Sequence, residues 1–278
     1  MTAATSDVLA ELDRLLEPAR FSDYCVNGLQ VPGPDHVDTI ATGVSAGAQL
    51  FELAAAERAG LVLVHHGLFW APGVQAIDAV LARRLRLLFD ANIALVAHHL
   101  PLDAHPELGN NALLADALGA ERREPFALHR GEPIGCLATL PGQGESAGHG
   151  EPANPQQGMP ADANPGQGIP AEDLFARVRE ITAREPLVLG AGPARVRRLA
   201  IVSGAGGDYL ADAAAAGADA LLTGEVAERA STHAHELRLH LIAAGHYATE
   251  TFGVRRLGEL LAQRFALRHV FLDVPNPV

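Results

Sequence analysis

Residues 42–67 read TGVSAGAQLFELAAAERAGLVLVHHG, and residues 200–225 read AIVSGAGGDYLADAAAAGADALLTGE. Set side by side at a constant offset, both run strand, small-residue turn, alanine-rich helix, glycine, strand. In the first copy Thr39 to Val44 suits a strand and Ala48 to Arg58 a helix stopped at Gly60. Leu61 to Val64 is the short apolar run of a strand buried on both faces. Each copy then passes through a further helix to another strand. In the first, a helix over about 77–89 is closed by Asn92 and leads to a strand over Ile93–Ala97; in the second, the strand covers Leu239–Ala244. Polar clusters follow both, HLPLD (99–103) and HYATE (246–250), each of the form His-x-x-x-acid. Alanine-rich helices align easily by chance, whereas matching polar clusters at equivalent strand ends are harder to dismiss. The alternation predicts an α/β fold made of a duplicated α/β unit, with a site shared between the copies.

Outside the repeat, Val8, Leu9, Leu12, Leu15 and Leu16 form the apolar stripe of an opening helix, with Ser6 or Asp7 as its cap and Pro18 past its end. A glycine- and proline-rich turn, NGLQVPGP (27–34), follows. Residues 141–172 contain a tandem decapeptide, ANPQQGMPAD then ANPGQGIPAE, with almost no large apolar side chains. Such a segment cannot bury enough surface to offset its ordering entropy, so a disordered insertion is expected there. Helical patterning resumes over 173–182, and Leu199 to Val202 reads as a strand. The expected organisation is a first unit over 1–125 and a second over 126–278.

The chain has 278 residues, enough for two ordinary domains, and 48% of them are hydrophobic. A net charge of −12 argues against a broad nucleic-acid surface, which needs clustered Lys and Arg. Cys25 and Cys136 are two isolated thiols, consistent with a reducing compartment and no disulfide framework. The acidic amphipathic start is unlike a secretion signal, and no apolar run approaches the ~20 residues of a membrane span. A cytoplasmic protein with no membrane partner is the expectation.

Three clusters carry candidate chemistry. His65 and His66 follow an apolar strand, where open α/β sheets bind ligands. Adjacent side chains leave an extended backbone in opposite directions, so each imidazole could meet a different metal ion. Alone, the pair reads equally well as strand-end histidines bonded to backbone. AHHLPLDAH (97–105) offers His98, His99, Asp103 and His105 on a segment that Pro101 keeps from being a continuous helix. Asp103 could bridge two metals, or cap the helix that follows. With Ala248–Leu261 helical, His246 and Glu250 lie one turn apart and aim at one point. Imidazole and carboxylate donors without thiolate suit Zn, Mn or Fe in an open site. His233, His235 and His240 read as residues on or near an exposed helix. His36, His129, His149 and His269 have no supporting context, and GAGG (204–207) is as well explained by a tight turn as by a phosphate site.

The segments NGLQV (27–31), HHGLFW (65–70), HLPLDAHPELGNNA (99–112), TGE (223–225), AAGHYATE (243–250) and LDVPNP (272–277) resemble the dinuclear-metal GTP cyclohydrolase 1 type 2 homologues, or NIF-three-like proteins. The resemblance runs from near the N-terminus to the end and is interrupted only by 141–172. It implies two interleaved α/β units, a homohexameric ring, and two divalent ions held by His65, His66, Asp103, His246 and Glu250. His99 is not among the ligands so implied. The repeat places it opposite His246, which gives it a role beside the metals, either supporting their ligands or in proton transfer.

The function expected is hydrolysis of a nucleotide by metal-activated water, with C8 of the guanine of GTP as the electrophile. The alternatives are a two-metal phosphoesterase or nuclease acting on a nucleotide or single-stranded nucleic acid, and a non-catalytic metal-binding ring that recruits partners.

Overall fold

A computed structural model of the chain describes residues 1–73, 76–142 and 168–278. Two sheets organise it. The first has five strands in the order Arg268–Phe271, Thr39–Ser45, Leu61–His66, Ala94–Ala97, Gly28–Val31; all neighbours are parallel except the last, which is antiparallel. The second has six, in the order Leu187–Gly190, His240–Ala243, Ala220–Thr223, Arg198–Val202, Glu132–Thr139, Arg122–His129. Its middle three are parallel and its outer pairings antiparallel.

The expected duplication is visible in these orders. In each sheet three consecutive parallel strands are joined by helices, and the strand preceding the first of them pairs antiparallel with the third. Strand alternation explains how both faces of each sheet are filled. Leu61 and Leu63 face the helices Thr5–Leu16 and Thr251–Phe265 through Val8, Leu12, Val254, Leu257 and Leu261. Val62 and Val64 face Leu50, Phe51 and Leu88 of the helices Ala48–Ala56 and Ala79–Asp90. In the second sheet Leu199 and Ile201 meet Leu114, Leu174 and Val178, while Ala200 and Val202 meet Leu210, Ala213, Ala230 and Ala234.

Several local expectations need correction. The first helix begins at Thr5, so the cap position falls on Ala4, which has no side-chain acceptor; the start is held instead by Thr5, whose N–H donates to Asp35 O at 2.8 Å and whose hydroxyl donates to Pro34 O at 2.6 Å. Pro101 does not exclude a helix. It sits in the first turn of Leu100–Ala104, where its missing N–H has no partner to lose. Arg58, at φ 57°, turns the chain out of the second helix before Gly60. His240 opens a strand and not a helix, with Nε2 on Pro193 O at 2.9 Å. The low-complexity stretch expected over 141–172 falls mostly outside the described residues. Its last part is ordinary structure, since Ile169–Pro170 pairs with Arg195–Val196, Ile169 is buried, and the next helix starts at Ala171. An apolar Ile at the end of the repeat gave that part something to bury.

No described helix is long and apolar enough to cross a membrane. Leu63 lies fully buried in the middle strand of the first sheet. Leu63→Ala is expected to lower unfolding free energy by about 2–5 kcal/mol in a urea titration; a loss below ~1 kcal/mol would contradict this packing.

Candidate metal centre

The carboxyl ends of parallel strands from both sheets meet at one place. His65 and His66 close the Leu61–His66 strand; His99 follows Ala94–Ala97, Gly204 follows Arg198–Val202, Glu225 follows Ala220–Thr223, and His246 follows His240–Ala243. Open α/β sheets collect ligands at this end. Here the ends of two sheets face a common centre.

Each histidine of the group is held by Nδ1. His65 Nδ1 lies 3.0 Å from the carbonyl of His98, and so carries its proton there and leaves the Nε2 lone pair free when neutral. His66 Nδ1 meets Ser45 Oγ at 3.0 Å, His246 Nδ1 lies 3.5 Å from Glu225 Oε1, and His99 Nδ1 lies 2.8 Å from Asp23 Oδ1. The Nε2 atoms of His65, His66 and His246 converge on Glu250. His65 is 3.5 Å from Oε1; His66 and His246 are 3.1 Å and 3.2 Å from Oε2. Asp103 completes the group, with Oδ2 at 3.3 Å from His65 Nε2.

These atoms fall into two sets that a cation could bridge, His65–Asp103–Glu250 and His66–His246–Glu250; His65, His66 and His99 form a third grouping. Glu250, not Asp103, is the carboxylate between the two sets. Asp103 Oδ1 is already committed, accepting from Asn110 Nδ2 at 2.8 Å and Ser203 Oγ at 3.1 Å. Nor does Asp103 cap the next helix, which begins after Gly109 without a side-chain cap. His98 and His105 do not join the cluster: His98 is buried with Nδ1 unpartnered, and His105 Nδ1 accepts from the N–H groups of Glu107 and Leu108. His233 and His235 stand exposed on the helix Ala230–Leu237.

The donor set fits a cation on the chemistry of its atoms. His65 Nε2 and Glu250 Oε2 are buried with no hydrogen bond of acceptable geometry, although charged partners lie within 3.5 Å. Buried polar atoms are rarely left so. Lone pairs aimed at a common point, and not along one another's N–H bonds, produce this geometry. Burial disfavours charge on His65, but the Asp103 and Glu250 carboxylates outweigh it and hold the imidazole well above its ordinary pKa. Burial likewise opposes charge on Glu250, and His65, His66 and His246 pull its carboxyl well below the usual range. A proton on His65 thus balances part of the negative charge, and a cation would supply the same balance while displacing it.

Three supporting features are not marked as site residues by any spacing in the sequence. Asp23 accepts from His99 Nδ1, Asn27 Nδ2 and the N–H groups of Cys25 and Leu100. Burial alone would raise its pKa; the His99 contact and the other hydrogen bonds outweigh that and bring it down to about 2. Ser203 and Asn110 fix Asp103 from two different elements. Gly204, at φ +62°, passes so close that a Cβ there would lie 2.2 Å from Glu250 Oε1 and 3.0 Å from His246 Nε2. GAGG (204–207) is therefore a turn whose first glycine makes room for the site.

The whole arrangement has known relatives. The pattern of the Duf34/NIF3 (NGG1p interacting factor 3) family matches residues 3–277. A GTP cyclohydrolase 1 type 2 homolog of Pseudomonas aeruginosa is 43% identical over 278 residues, covering 100% of both chains. Among solved structures, protein ybgI, described as of unknown function, is 35% identical with a TM-score of 0.84, covering 99% of this chain and 100% of that one. TTHA1606 from Thermus thermophilus is 34% identical with a TM-score of 0.83 at the same coverage. The chain belongs to the Duf34/NIF3 family, as the motifs HHGLFW and GHYATE imply.

Gly204→Ala is expected to push Glu250 aside while leaving the circular dichroism spectrum intact. Competition with a chromogenic chelator should then read Zn2+ affinity lowered by about tenfold or more. Wild-type affinity in this variant would contradict the close approach.

Proposed function

We propose that this member of the Duf34/NIF3 family is a hydrolase that works with two divalent ions, Zn, Mn or Fe, and acts on the purine ring of a nucleotide. The observation that carries the reading is the convergence of three imidazole Nε2 atoms and two buried carboxylates, with His65 Nε2 and Glu250 Oε2 left unpartnered. In this reading His65, Asp103 and Glu250 hold one ion, and His66, His246 and Glu250 the other. When bound, such a pair lowers the pKa of water toward neutrality and polarises an electrophile.

The chain's own groups account for the rest. Asp103 and Glu250 bring two negative charges to the centre, enough to offset much of the charge of the ions. The anchored Nδ1 atoms fix each ring, so that little reorganisation is needed on binding. His99 lies with its ring centroid 4.9 Å from that of His65 and 5.6 Å from that of His66. Asp23 at its Nδ1 fixes the ring at the edge of the centre, so in this reading His99 takes a proton from the attacking water and returns it to the leaving nitrogen. Water adding at guanine C8 would open the imidazole ring by this route. The names of relatives such as the one from Pseudomonas aeruginosa support GTP as the substrate to try first.

The test is incubation of protein loaded with two equivalents of Mn2+ with GTP, and separately with bis(p-nitrophenyl) phosphate. Loss of the guanine absorbance band is expected, abolished in Glu250→Gln and slowed by about 10²–10⁴-fold in His99→Gln. Phosphodiester cleavage without ring opening would replace this reading with a phosphoesterase, and turnover of neither would favour a non-catalytic role.

A further inference from the structure

Beside the proposed metal centre lies a cavity of ≈ 420 Å³ whose walls include three aromatic rings that bear no metal ligand. Tyr24, Trp70 and Tyr209 line it together with His66, His99 and Glu250. Trp70 stands next to the centre, its ring 5.1 Å from His99 and 5.9 Å from His66. It is fixed there by Nε1–H donating to Gly67 O at 2.8 Å and by the bridge between Cys25 and Trp70. Tyr24 forms another part of the wall and is 46% exposed.

A cation stands over Tyr24. Arg130 places its guanidinium 5.0 Å from the ring centroid and donates to Ser22 Oγ at 2.9 Å. Arg130 and Gly131 form the two-residue turn between the strands Arg122–His129 and Glu132–Thr139, both at positive φ, so the side chain projects from a tight and well-defined mount. Two nearby arginines are neutralised, Arg20 by Glu17 and Glu132, and Arg229 by Asp208 on the cavity wall. Arg130 meets no carboxylate among the described residues. In a chain of net charge −12, an unpaired guanidinium seated over a ring of the cavity wall points to an anionic ligand.

We propose that Trp70, Tyr24, Tyr209 and Arg130 form the substrate site, taking a planar nitrogen heterocycle that carries a phosphate, with the ring beside Trp70 and the phosphate at Arg130. Aromatic side chains bind bases through their faces, and a guanidinium binds phosphate oxygens through a fork of N–H donors. The polarity decides between chemistries. With the phosphate at Arg130 over Tyr24 and the ring beside Trp70, whose own ring contacts His66 and His99, the ring and not the phosphorus meets the attacking water. The inference rests on the hydrolase reading above for the identity of the reaction, but ligand binding can be read without turnover.

Trp70 is the single tryptophan of the chain, so intrinsic fluorescence reports this wall directly. GMP, guanosine and ribose 5-phosphate are titrated into full-length protein whose metal content has been measured. Saturable quenching by GMP and guanosine is expected. Arg130→Ala should weaken GMP by about tenfold or more without changing guanosine, and Tyr209→Ala should weaken both by about fivefold or more. Arg130 is an exposed turn residue, so its variant should fold, and circular dichroism checks this. No saturable response to GMP in metal-replete protein would overturn the site, and unchanged GMP binding in Arg130→Ala would overturn its polarity. Absence of metal from the wild type would count against the hydrolase reading instead, leaving the fluorescence result to judge this one.

Discussion

Two buried carboxylates in one pocket are the constraint on which the rest of the site depends. Asp103 and Glu250 are almost wholly removed from water, and Glu250 contacts three imidazoles within 3.5 Å. Uncompensated buried charge is costly, so the structure must supply either protons or cations. The surrounding features are arranged around that requirement. Asn110 and Ser203 quiet one oxygen of Asp103 and leave the other to face His65. Backbone and side-chain acceptors hold each Nδ1, so each Nε2 faces the carboxylates. Gly204 has no side chain because Glu250 occupies the space.

The duplicated architecture explains why such a pocket exists between two sheets. A single three-strand unit presents its carboxyl ends to solvent. Two such units set end against end exclude water from the space between them, and polar residues at strand ends then become buried. The exchange of contacts across this space is direct: Ser203 of the second sheet's unit donates to Asp103 of the first, and its N–H donates to Asn111 Oδ1 at 2.7 Å. The helix Thr251–Phe265, which follows Glu250, packs on the first sheet although its chain position belongs to the second repeat.

What was legible in the sequence is what short-range pattern encodes. LVLV (61–64) before HHG, and the His-x-x-x-acid clusters after two equivalent strands, located the α/β frame and brought the five proposed ligands to one pocket. Tertiary partners were not legible. Asp23 and His99 are 76 positions apart, Asp103 and Ser203 100 apart, and no spacing rule connects them. Gly204 looked like turn chemistry because its necessity arises from Glu250, far along the chain. Asp103 reads from sequence as either a bridge between metals or a helix cap, and only the contacts of Asn110 and Ser203 with one of its oxygens leave the shared position to Glu250. Ser6, Asp7 and Pro101 misled for a related reason: the helix start is fixed by contacts of Thr5 with the 34–35 backbone in one case, and proline's tolerance in a first turn decided the other.

The central claim is that Glu250 joins two cation sites in one centre. Isothermal titration of metal-stripped protein with Zn2+, checked by elemental analysis after gel filtration, tests it most directly. Two equivalents per chain are predicted for the wild type, with Glu250→Gln failing to retain either tightly and His233→Ala, exposed on the helix Ala230–Leu237, retaining both. Wild-type protein that binds one equivalent or none, or a Glu250→Gln variant that keeps two, would contradict it.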